Sequence, residues 1–118
     1  MSTNYFAITA ETPEGDEGLH IGQHAAGSVF QFRAHTDRAL TSARAWYRWM
    51  EMHDALILSE SRTPIDRDDF WADAQECLLR GARERFVGLA VGQTRRASYG
   101  GDEWLDELGY SFADYEFC

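Results

Sequence analysis

Hydrophobic and polar residues alternate strictly from Val29 to His35, with Phe30, Phe32 and Ala34 on one side and Gln31, Arg33 and His35 on the other. A period of two marks a half-buried strand. Leu19-His20-Ile21 alternates in the same way, and Gly22 to Ser28 between the two runs holds two glycines that enter turn conformations cheaply. The pattern predicts a β-hairpin with a small-residue loop. Its apolar face, Leu19, Ile21, Phe30 and Phe32, requires a cover of helices. Asn4 to Thr9 reads as an earlier strand with Phe6 and Ile8 on one face, and Glu11 to Gly18 as an acidic turn. These pieces make a three-stranded antiparallel meander, about the smallest sheet that persists, and then only with one face covered.

The spacing changes after Leu40. Ala43, Trp46, Tyr47 and Met50 recur at helical intervals, with Thr41 as the expected N-cap or Asp37 for a longer helix. Ala55 to Ser59 is a short buried strand or a link. Thr63-Pro-Ile-Asp66 then opens a second helix, its Asp66, Asp68 and Asp69 suited to the positive end of the helix dipole. Phe70, Ala74, Cys77, Leu78 and Gly81 form its apolar stripe, which runs to about Phe86. Gln93 to Gly101 reads as a polar, mobile loop. In the tail, Trp104, Leu105 and Leu108 suit a turn or two of helix, and Tyr110 with Phe112, then Tyr115 with Phe117, suit a bulged edge strand. The expected fold is therefore α+β: one domain, residues 1–118, with an antiparallel sheet of three to five strands and two main helices on one face.

At 118 residues the chain is long enough to bury a core without staples. It has no apolar run of bilayer-spanning length and no signal peptide, so a cytoplasmic location is expected. Two cysteines, Cys77 and Cys118, do not make a disulfide framework. The net charge of −9 argues against direct nucleic-acid binding and permits a basic protein partner, the alternative being that the charge simply keeps the protein soluble. Every basic residue is arginine, which points to a GC-rich coding genome more than to chemistry.

Catalytic motifs are missing. The serines lack a nucleophile-elbow setting, and Gly22 to Gly27 lacks the lysine and helix start of a phosphate loop. His20, His24, His35 and His53, with Cys77 or Cys118, could in principle build a zinc site, but their spacing is not that of a zinc finger. No metal, cofactor or catalytic residue is assigned, although a catalytic His20 or His35 would need no motif around it. The acids form a more coherent set. Glu14, Asp16 and Glu17, with Asp102, Glu103, Asp106, Glu107, Asp114 and Glu116, would give one side of the molecule a strong negative charge, with Trp104 and Tyr115 either as its interface anchors or as core contacts that dock the tail. Arg80, Arg83, Arg85, Arg95 and Arg96 make an opposite patch. It either neutralises a helix C-terminus or takes an anionic nucleotide.

His20-Ile21-Gly22, Ala26-Gly27 and Phe30-x-Phe32 resemble a group of small bacteriophage-encoded proteins in which a Cys-x-x-Cys segment and an acidic turn precede a His-Ile-Gly-Lys-Ser-Ser-Ala-Gly-Trp-x-Phe-x-Phe stretch. The likeness continues in the tryptophan-bearing helix after Thr41, in Ile65-Asp-Arg-Asp-Asp-Phe70 and in the ending Gly109-Tyr-Ser-Phe-x-x-x-Glu-Phe117. Here Thr12 to Gly15 carries no cysteine, Gln23 stands in the lysine position and Ser28 in that of the tryptophan. The resemblance implies a phage or prophage accessory protein and brings no activity with it. Combined with the charge, the expected function is binding and not catalysis. Its most concrete form is an anti-CRISPR-like inhibitor that offers a nucleic-acid-mimicking surface to a host defence protein in the bacterial cytoplasm. The alternative is sequestration of a small anionic nucleotide by the arginines.

Overall fold

Strand β3 (Phe30–Arg33) lies between an antiparallel neighbour, β2 (Leu19–Ala25), and a parallel one, β8 (Ser111–Ala113). Around this trio the computed structural model, described over residues 2–25, 30–85, 90–96 and 101–115 (backbone alone for residues 25 and 79–85), builds a single sheet. The remaining strands are β1 (Ser2–Ile8), β4 (Leu56–Ser59), β5 (Pro64–Ile65), β6 (Thr94–Arg96) and β7 (Asp102–Leu105). The eight run in the order β5-β4-β1-β2-β3-β8-β7-β6.

The expected antiparallel sheet of three to five strands is thus corrected to eight strands and mixed direction. The meander is real, as β1 pairs with β2 and β2 with β3, but it forms only the middle of the sheet. Two things enlarge it. Leu56–Ser59 pairs with β1 and is extended by β5, and the acidic tail comes back as strands. Trp104 and Leu105, expected to be helical with Leu108, belong to β7, and Thr94–Arg96 inside the expected loop is β6. Ser111–Ala113 is no edge strand: it lies between β3 and β7, all three residues buried, with the Ala34 N–H donating to Ala113 O at 2.8 Å. Residues 26–29, 86–89, 97–100 and 116–118, which include most of the expected hairpin loop and the second half of the expected mobile loop, lie outside the described residues.

Helix α1 (Ala43–Met52) begins at Ser42, one residue beyond Thr41, because Ser42 Oγ accepts from the Ala45 N–H at 3.1 Å. It buries Ala43, Trp46 and Met50. Helix α2 (Arg67–Arg85) is entered through Asp66, whose Oδ2 accepts from the Asp69 N–H, and it buries Phe70, Ala74 and Cys77. The helices meet where the Tyr47 ring touches the Trp71 ring, and where Arg67 donates to the Met50 carbonyl at 2.9 Å.

One core joins helices and sheet. Phe32, wholly buried, touches the rings of Phe30, Phe70, Trp71, Tyr110 and Phe112 at centroid distances of 4.7–6.3 Å. Contacts of this kind contribute about 0.5–1.5 kcal/mol each beyond burial. Gly22, opposite Phe32 in the ladder, lies under the Phe30 ring: a Cβ there would come within 2.6 Å of that ring and collide with the Gln31 carbonyl.

A β-bulge decides which side chains of β2 reach this core. Tyr5 pairs with Gly22 but Phe6 with His20, which leaves Ile21 as the extra residue. Beyond the bulge, Gly22 and His24 pair with Phe32 and Phe30. His24 therefore lies on the helix-covered face. Ile21 is wholly buried all the same.

Candidate functional site

The acidic tail is largely consumed by the fold. Asp106 is only 4% exposed. Its Oδ2 accepts from the Ala43 N–H at 2.8 Å, and its Oδ1 from the N–H groups of Leu108 (3.0 Å) and Tyr110 (2.8 Å). One carboxylate thus satisfies an orphan donor at the start of α1 and closes the 106–110 turn, where Gly109 takes φ +92°. Burial pushes the Asp106 carboxyl above its ordinary value, against the pull of the three N–H donors, and Glu107 adds to the rise.

Glu103 is likewise internal. Its side chain is 13% exposed, and it accepts from Gln31 Nε2 (3.3 Å) and the Tyr115 hydroxyl (2.9 Å) while pairing with Arg95 at 3.5 Å. Asp102 pairs with Arg96 at 3.4 Å, and Asp114 accepts from the Asp102 N–H at 2.6 Å. The Trp104 ring stacks on Phe112, and its Nε1–H donates to the Thr41 carbonyl at 3.1 Å. Of the tail acids Glu107 alone is exposed among the described residues, and Glu116 lies outside them. The same contacts place Arg95 and Arg96 opposite carboxylates across the β6–β7 ladder. Arg80, Arg83 and Arg85 fall where α2 is described by its backbone alone.

The exposed acids lie elsewhere. Glu14, Asp16 and Glu17 project from the turn between β1 and β2, beside Glu60 and Arg62, and Arg62 donates to the Glu17 carbonyl at 3.0 Å. A longer row runs along α2. Asp66, Asp69, Asp73 and Glu76 are all exposed and spaced three, four and three residues apart, so they line one helix face over about 15 Å. Arg67, on the same helix, pairs with Glu51 and Asp54. Sequence reasoning treated the first of these acids as dipole partners and passed over Asp73 and Glu76; their i, i+3, i+7, i+10 spacing was the signal.

On another side of α2 a groove of about 480 Å³ runs between the helices. Tyr47, Trp71, Leu108 and Tyr110 form its apolar lining, and Arg44, Asp68 and Gln75 its polar part. Tyr47 and Leu108 are about half exposed, and the Trp71 Nε1–H is buried without an acceptor.

The four histidines separate. His20 Nε2 meets Asn4 Oδ1 at 2.9 Å, and its ring stacks on Phe6. His35 Nε2 donates to the His20 carbonyl at 2.8 Å and its ring meets Trp46; burial lowers its pKa. His53 packs on Trp49. His24 alone meets a thiol: its Nε2 is 3.2 Å from Cys77 Sγ, at a cavity of about 60 Å³ that Tyr5 and Asp73 also line. Among the described residues no group of three or more His, Cys, Asp or Glu side chains converges to hold a metal ion, and no helix is long and apolar enough to cross a membrane.

No protein-family model, curated protein or solved structure matches the chain.

Proposed function

We propose that the chain is a phage or prophage accessory protein that acts by binding, its acidic α2 face occupying a basic groove on a nucleic-acid-binding host defence protein as an anti-CRISPR inhibitor would. The observation that carries this is the row Asp66, Asp69, Asp73 and Glu76, four exposed carboxylates at one per helical turn or closer. A rigid row of charges at this spacing imitates a phosphate backbone, which presents a charge about every 3.4 Å along each strand. Glu14, Asp16 and Glu17 add to the negative field, and electrostatic complementarity of this kind accelerates encounter with a basic partner. The Tyr47–Trp71–Leu108 groove, on another side of α2, offers an apolar anchor of the kind a protein interface uses. The resemblance to phage proteins directs the search to the bacterial cytoplasm.

The test is charge reversal on the row. Asp69→Lys, Asp73→Lys and Glu76→Lys together should abolish capture of a nucleic-acid-binding protein from a defence-competent bacterial lysate, and should abolish protection of phage in a plaque assay. Asp102→Asn, which removes a paired charge, should leave both intact. If the triple variant unfolds at the same urea concentration as the parent and still protects phage, α2 is not the binding face.

A further inference from the structure

Cys77 is 4% exposed, yet it is not sealed in hydrocarbon. Its sulfur has an imidazole nitrogen at 3.2 Å and borders a cavity of about 60 Å³, whereas one water needs only ~10–15 Å³. A thiol within reach of an imidazole that accepts its proton is the arrangement that makes a sulfur nucleophilic. We propose that Cys77 is a reactive thiol activated by His24, and that the cavity beside it admits a small uncharged hydroperoxide that oxidises the sulfur to a sulfenic acid.

The walls select the reagent. Phe30, Ile65, Phe70 and Ala74 make half of the lining apolar, and the volume accepts a molecule the size of hydrogen peroxide but not a peptide disulfide. Asp73, exposed and one helical turn before Cys77, puts a negative charge on the solvent side and disfavours anionic oxidants. Tyr5 completes the ring of polar groups. Burial, then the Asp73 carboxylate, then Cys77 push its pKa up, so its hydroxyl keeps its proton and can donate to a peroxide oxygen.

The step balances with peroxide as the oxidant. The Cys77 proton passes to His24 Nε2, the thiolate attacks the nearer peroxide oxygen, the O–O bond breaks, and the departing hydroxide takes the proton from His24 to leave as water. Sulfur is oxidised by two electrons and peroxide reduced by two. Among the described residues there is no second thiol to close a disulfide, and the cavity keeps out bulky thiols, so the sulfenic acid persists.

The experiment uses the full chain carrying Cys118→Ser, so that a single thiol reports. Protein is exposed to hydrogen peroxide, quenched, unfolded in iodoacetamide and mapped by mass spectrometry. Residue 77 should lose alkylatable thiol with a gain of one oxygen, and its rate should fall about tenfold or more in His24→Asn. The parent should also react faster folded than in urea, a comparison that stands even if the His24 variant does not fold. Equal rates in parent and His24→Asn, or a folded rate no greater than the unfolded one, would overturn the activation by His24. Formation of a mixed disulfide on the folded protein with glutathione disulfide would overturn the assignment to a small uncharged oxidant.

Discussion

Asp106→Ala is the substitution for which the fold makes its most demanding claim. The side chain accepts three backbone N–H groups, and two of those bonds, from Ala43 and Tyr110, are buried. A hydrogen bond to a charged group contributes about 1.5–3 kcal/mol, and a buried donor left alone costs about 1–3 kcal/mol. Alanine strands both buried donors, uncaps α1 and unties the 106–110 turn. Relief of the charge-burial penalty that raises the Asp106 pKa offsets part of this. The expected net loss is about 3–5 kcal/mol, or roughly 12–20 °C in Tm at about 4 °C per kcal/mol. Asp106→Asn separates the contributions. It keeps one oxygen for Leu108 and Tyr110 but turns an amide N–H₂ toward the Ala43 N–H, so about 1–2 kcal/mol should be lost. The pH dependence has a definite sign. A carboxyl whose folded pKa is raised above its unfolded value binds more protons folded than unfolded between the two, so the parent gains stability relative to Asp106→Asn as pH falls through that window. Urea denaturation of the three proteins at two pH values measures all of this. A midpoint for Asp106→Ala that corresponds to less than about 0.5 kcal/mol, the range of ordinary surface changes, would refute the capping role and return Asp106 to the surface.

Gly22→Ala places a methyl group against the Gln31 carbonyl and the Phe30 ring, so it should cost about 1–3 kcal/mol by urea denaturation. Trp104→Ala loses both the stack on Phe112 and the bond to the Thr41 carbonyl, and a loss of about 3–5 kcal/mol is expected in the same assay. His35 should titrate below 6.5 in an NMR experiment, because burial disfavours the imidazolium more than the His20 carbonyl and Asp37 favour it, with Arg33 and Arg38 adding to the fall. A depressed histidine pKa means that the unfolded chain binds the extra proton first. Stability should therefore drop as pH falls from 6.5 toward the folded value, and His35→Gln should flatten that slope.

Local periodicity was sufficient for most of the helical stripes and for the pairing of β2 with β3, but not for the face that β2 turns to the core. Ala43, Trp46 and Met50 are buried where a 3.6-residue repeat puts them, and so are Phe70, Ala74 and Cys77, whereas Tyr47, expected on the same stripe, is about half exposed. Capping differed by one residue because Thr41 and Ser42 offer the same oxygen, and the choice rests on geometry at Ala45. The tail was misjudged for another reason. Trp104, Leu105 and Leu108 fit a helical spacing, and nothing local shows that β8 will insert beside β3 in parallel, some eighty positions from its partner. That pairing is what makes the tail acids structural: once Phe112 stacks on Phe32, Glu103 and Ser111 must lie on the opposite face with Gln31, and Asp106 must turn inward to start α1.

The thiol pocket depends on a single departure from alternation. Counted by twos from Leu19, the core face of β2 would take Ile21 and Gln23 and leave His24 outside, next to or within the loop. The extra residue at Ile21 resets the count, so Gly22 and His24 face α2 while Ile21 is still buried. Gly22 is the enabling residue, since any side chain there would displace the Phe30 ring that helps to wall the cavity. A polar imidazole on a core face is costly unless it finds a partner. Cys77, one turn beyond Ala74 and two beyond Phe70 on α2, supplies that partner at 3.2 Å. The register shift, the glycine and the cysteine are therefore one device: without the bulge His24 would face solvent, and Cys77 would be an inert core thiol.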